Sequence, residues 1–176
     1  MSTNDKNANF STLSLMILKE IRLDRGIHQG VIADRIGKTP SAWTKIENGQ
    51  SSLTFDVLIG ACSALQVHPS HVTALMDKLI PLFAPYKFYF QVGTLSYEED
   101  DLLRLTSEYF NSKGYDALKT RFFERYSIES LGSPFGFTST PTIVRYCCEP
   151  EFKEWIDQGA VGAAPSIPVP NTQIQF

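Results

Sequence analysis

The chain has 176 residues, enough for one ordinary domain or two small ones. Hydrophobic residues make up 43% and charged residues 20%, with 11 Gly and 10 Pro, which excludes collagen-like, low-complexity and mainly disordered sequence. Net charge is −3, so the whole-chain balance does not advertise nucleic-acid binding, and no apolar run approaches the roughly 20 residues of a membrane span. Three cysteines, two of them adjacent at Cys147 and Cys148, cannot build a disulfide framework and fit a reducing cytoplasm. Met1 to Asn9 is polar, and no secretory signal is expected there.

Charge and aromatics divide unevenly. Residues 1–82 hold 8 Lys/Arg and 7 Asp/Glu, whereas residues 83–176 hold 8 and 12, and 18 of the 21 aromatics lie in the second part. Two domains are expected, with a boundary near Pro81 to Pro85, where two prolines interrupt the helical pattern. Residues 1–11 read as a flexible N-terminus, 12–82 as a helical domain, 83–162 as a second domain and 163–176 as a Pro-rich extended tail.

In chain order, Leu15, Leu18 and Ile21 recur at helical spacing from about Thr12 to Arg25, and Gly26 is placed to end that helix. A second helix over Gln29–Ile36 carries Ile32, Ala33 and Ile36, with Gly37 as its stop. Thr39 before Pro40 starts a third, which runs to about Glu47 with Trp43 and Ile46 inward and Asn48-Gly49 as the turn after it. A fourth spans about Phe55 to Gln66, and a fifth begins at Pro69 with Val72, Leu75, Met76 and Leu79. In the second part, Lys87–Val92 and Thr142–Cys148 read as strands, Ser96–Asn111 and Tyr115–Tyr126 as helices, 132–141 as a loop, and Pro150–Trp155 as a short helix. Ser96 with Glu99 reads as the capping box of the helix after it. The expected fold class is therefore an all-α five-helix helix-turn-helix domain followed by a small α+β domain.

The helices at 29–36 and 40–47 are joined only by Gly37-Lys38-Thr39, and each contributes a small residue, Ala33 and Ala42, for a close crossing. The stretch LKEIRLDRGIHQGVIADRIGKTPSAWTKIENG, within Leu18 to Leu65, resembles the lambda-repressor/Cro-like (XRE) helix-turn-helix family. Gly26, Gln29, Ala33, Gly37, Lys45, Ile46, Glu47, Asn48 and Gly49 stand where that family has those residue types. Gly30 inside the second helix, Trp43 in place of Ile or Val, and Pro40 where a base-reading Gln or Arg is common are departures. The resemblance implies a third helix that enters the major groove. Its outward positions are Pro40, Ser41, Thr44 and Lys45: lysine can donate to guanine O6 or N7, and proline offers only apolar contact, as against a thymine methyl. Gln29 is expected to clamp a phosphate, and Lys38, Thr39 and Gln50 to touch the DNA backbone.

Enzyme chemistry finds little support. All three histidines, His28, His68 and His71, lie in the helical part, so a Cys147 or Cys148 nucleophile lacks a local imidazole. His68 and His71 form at most one edge of a metal site; no catalytic residue, metal or cofactor is expected. The composite expectation is a cytoplasmic transcriptional regulator, a repressor acting as a homodimer on palindromic double-stranded DNA, because one small module buries little surface. The alternatives are an antitoxin-like protein-interaction module that autoregulates its own operon, and a regulator that senses a small-molecule effector through residues 83–176.

Overall fold

The computed structural model describes residues 5–93, 95–121, 123–132 and 139–166. Its elements in order are β1 (Lys6–Asn9), α1 (Phe10–Asp24), α2 (Gln29–Arg35), α3 (Pro40–Glu47), α4 (Phe55–Ala64), α5 (Pro69–Phe83), β2 (Phe88–Gln91), α6 (Asp101–Phe110), α7 (Lys113–Leu118), α8 (Thr142–Cys148) and α9 (Pro150–Asp157). Two 3-10 turns, Ala84–Tyr86 and Ile128–Gly132, complete the regular structure among the described residues. None of these helices is long and apolar enough to cross a membrane.

The chain does not start as a flexible arm up to residue 11. Lys6–Asn9 pairs in parallel with Phe88–Gln91, with Lys6 opposite Phe88 and Asn9 opposite Gln91. Asn9 then caps α1, its Oδ1 accepting from Ser11 N at 2.7 Å, so strand and helix follow without a gap. Parallel strands need a crossover; here α1 to α5 all lie between the two strands in chain order. Strand β2 is where the sequence placed one, but its mate comes from the N-terminus rather than from the second part.

Four further differences have local causes. Pro81 does not stop α5, which runs on to Phe83: a proline in the last turn forfeits one backbone bond, while Leu79 and Phe83 on the same helix are fully buried. Thr142–Cys148 is a helix, not a strand, and every residue of it is buried, which erases the periodicity that would tell the two apart. The helix expected at Ser96 begins instead at Asp101. Glu99 does reach back to Ser96, its Oε2 accepting from the Ser96 N–H at 2.9 Å, but around an isolated turn, and Asp100 is the true cap, with Oδ1 accepting from Leu103 N at 2.9 Å. The helix expected over Tyr115–Tyr126 is the short α7, capped by Ser112 and finished at Leu118. Residues 133–138 of the expected 132–141 loop and 167–176 of the expected tail lie outside the described residues.

The buried apolar side chains form one cluster that crosses residue 82 without a break, from Ala8 and Leu13 through Trp43 and Phe83 to Tyr146 and Ile156. Its character changes along the way. Around α1 to α4 it is mainly aliphatic with one tryptophan, whereas in the second part Tyr109 sits edge-on to Tyr115 at 5.1 Å and tilted against Tyr146 at 5.2 Å. Helix α1 lies at the junction, with nearly every residue from Thr12 to Arg22 buried.

Candidate nucleic-acid interface

Helix α3 is built to protrude. Thr39 caps it, Oγ1 accepting from Ala42 N at 3.1 Å, and Pro40 sits at its first position. Gly37, at φ +64°, makes the left-handed turn out of α2, and Ala33 is fully buried where the two helices meet. Trp43 and Ile46 anchor the inner face. The opposite face leaves Pro40, Ser41 and Lys45 exposed, with Lys38 and Thr39 just before them and Gln50 just after. Lys38 and Lys45 have no carboxylate within ion-pair distance among the described residues. A groove of about 320 Å³ runs beside this face, and Ser51 and Ser52 line it with Lys38, Ser41 and Lys45. Those two serines escaped the sequence reading because the loop after Gly49 has no periodicity to orient it.

Two expected contact residues, both half-buried, are engaged within the protein. Gln29 donates from Nε2 to Glu47 Oε2 at 2.8 Å, and its Oε1 lies 3.1 Å from the Thr44 hydroxyl. Thr44 Oγ1 also lies 2.9 Å from the Pro40 carbonyl oxygen. These side chains tie the start of α2 to the middle and end of α3, so they orient the helix before they touch anything outside.

A buried ion pair completes that bracing. Arg22 of α1 donates from Nε to Glu47 Oε1 at 2.6 Å and from Nη2 to Oε2 at 2.9 Å, the bidentate geometry of a strong pair. Nη1 of Arg22 donates to the Ile27 carbonyl at 3.1 Å, so one guanidinium holds α1, the α1–α2 turn and α3 together. The signal in the sequence was a charged residue at the end of an apolar helix face; its partner 25 residues away was not readable. Gly49, at φ +70°, turns the chain away after α3, and a Cβ there would meet Leu103 of α6 at 2.7 Å.

The helix-turn-helix family pattern matches residues 18–72, a little under a third of the chain. Residues 18–72 are an XRE-type helix-turn-helix. That family comprises DNA-binding transcriptional regulators. No curated protein and no solved structure matches the chain.

Other candidate chemistry is placed as follows. Cys147 and Cys148 are both buried within α8, not one in and one out along a strand, and burial pushes both thiols up, Cys148 to about 12. Neither is poised as a thiolate at neutral pH. His68 caps α5, accepting from Ser70 N at 3.3 Å. Among the described residues no three His, Cys, Asp or Glu side chains gather as a metal set.

Proposed function

We propose that this protein is a sequence-specific transcriptional regulator of the cytoplasm, a repressor that binds a palindromic operator as a homodimer. The observation that carries the reading is the helix-turn-helix with α3 held proud on a bracing of Arg22, Glu47 and Gln29, its solvent face offering Ser41 and Lys45 for base edges. Lys38, Thr39 and Gln50 flank that face as backbone contacts, while Pro40 supplies apolar contact. Gln29 and Thr44 serve by positioning α3. A homodimer is supported by the large apolar side chains left in water in the second part, above all Phe123 at 97% exposure. Selection of bound duplexes from random DNA tests the reading: enrichment of a two-fold symmetric site with half-sites about one helical turn apart is the expected outcome. Enrichment of nothing would refute it.

Sensing of a small molecule has an observation of its own. A cavity of about 720 Å³ opens between Arg121, Phe123–Tyr126, α8 and the 162–164 segment, lined by Arg121, Arg145, Phe152 and Tyr126 among others. Arg145 stacks on Phe152 at 4.0 Å. A ligand-dependent change in operator affinity, abolished by Phe152→Ala, is the outcome that distinguishes this regulator from one that only dimerises.

A further inference from the structure

Outside the recognition face, a groove of about 380 Å³ runs between the helix-turn-helix and α6. Lys19, Gln29 and Gln50 line one wall, and Tyr97, Ser107 and Asn111 the other. The lining is polar on both sides, so it suits neither an apolar effector nor a buried peptide side chain. Its carboxylate, Glu47, is fully engaged by Arg22, which removes the ligand a cation would need. The charge that remains is Lys19. Its Nζ bonds the neutral Asn48 Oδ1 at 3.1 Å and lies 5.1 Å from the centre of the Phe110 ring, with no carboxylate in ion-pair reach among the described residues. One ammonium ringed by neutral amide and hydroxyl donors is an anion seat. It opens beside Gln50, directly after the recognition helix.

We propose that this groove seats a phosphate of the DNA backbone, so that Tyr97 and Asn111, from the segment beyond the helix-turn-helix, add to the DNA contact. The inference rests on the DNA-binding reading above. Burial holds the Lys19 ammonium below the ordinary lysine range, so an arriving phosphate restores the charge stabilisation that water no longer gives. Tyr97 is 48% exposed; Asn111 is exposed with its Nδ2 already donating to the Ser107 carbonyl at 2.8 Å, so the second N–H of that amide is what it offers outward.

The test uses the full chain, with affinities for the selected operator and an unrelated duplex measured by fluorescence anisotropy across a salt series. Tyr97→Phe removes one neutral donor; affinity is expected to fall roughly fivefold on both duplexes, with the salt slope unchanged, because no counterion release is lost. Asn111→Lys adds a cation on an exposed position; the slope is expected to steepen by about 0.9 per subunit. Lys45→Ala serves as the control for the recognition helix. If both groove variants bind as the parent does while Lys45→Ala still changes sequence preference, the groove faces away from DNA and the proposal is overturned. If the parent chain binds no duplex at all, the DNA-binding reading itself fails, and this one with it.

Discussion

Glu47 illustrates how a charged side chain is used for position rather than contact. With 1% of its side chain accessible and Arg22 at 9%, the pair is buried between α1 and α3. Removing one partner leaves the other charged and desolvated, which typically costs roughly 3–5 kcal/mol. Glu47→Ala is therefore expected to lower unfolding free energy by about that amount in urea titrations, and replacing both residues by apolar side chains of similar volume should recover most of it. Lys45 is the contrasting residue, exposed in the last turn of α3 and without a carboxylate partner among the described residues. Lys45→Ala is expected to relax preference at one operator position at a cost of roughly 1–3 kcal/mol, read by competition with single-base operator variants. A uniform loss on every sequence would instead make Lys45 a backbone contact.

At the scale of elements, the contact between α1 and the segment 125–128 is the most unusual. Glu20 is 1% exposed and accepts from the Ile128 N–H, while Arg125 bridges Glu20 at 3.4 Å and also bonds Asp24. One guanidinium serves two carboxylates, with Tyr109 and Tyr115 as the other titratable groups close by. Burial is the main cause that pushes Glu20 up from 4.5 to about 7, with Asp24 adding to it and Arg125 opposing. The raised value means that the folded chain keeps a proton that the unfolded chain has released between these two pH values. This contribution to stability is full below about pH 4.5 and is lost as pH rises through about 7. The difference is on the order of 3 kcal/mol. Glu20→Gln, a neutral mimic of the protonated acid, is expected to match the parent near pH 5 and to exceed it in melting temperature at pH 8. Parallel pH profiles for the two proteins would show that Glu20 is ionised throughout.

For the whole molecule, the single core and the charge balance set the predictions. Thr12 donates to Asp100 Oδ2 at 2.6 Å, β1 pairs with β2, and α1 packs on α5 and α6, so the link between the two parts of the chain is polar and apolar at once. A fragment ending at residue 82 exposes that side of α1 and is expected to melt far below the full chain by circular dichroism; equal midpoints would show that the core divides there. The net −3 of the chain does not forbid DNA binding, because DNA responds to one face. Arg22 is spent on Glu47 and Arg25 on Glu129, leaving Lys19, Arg35, Lys38 and Lys45 without carboxylate partners among the described residues. With about three phosphates neutralised per subunit, a dimer is expected to show a slope of log affinity against log salt on the order of −5. A slope near zero on the selected operator would remove the phosphate contribution and favour an interaction module over a DNA-binding regulator.

What the sequence by itself determined is the part of the protein whose signals are local. The Thr39-Pro40 start, the Gly37 and Gly49 turns, and the inward Trp43 and Ile46 all act within a few residues, so α3 and its exposed face were legible before any fold was known. The Arg22–Glu47 pair, the bond of Gln29 to Glu47 and the joining of β1 to β2 each depend on residues brought together from far apart, and no spacing along the chain encodes them. The same reason explains α8: TIVRYCC has β-forming composition, and only its enclosure on every side by other elements, α5, α6 and α9 among them, decides that it is helical. The tertiary structure also decided which charges are available. Of the six cations from Lys19 to Lys45, two are consumed by carboxylates, and that division, rather than the net charge, governs what the surface offers to DNA.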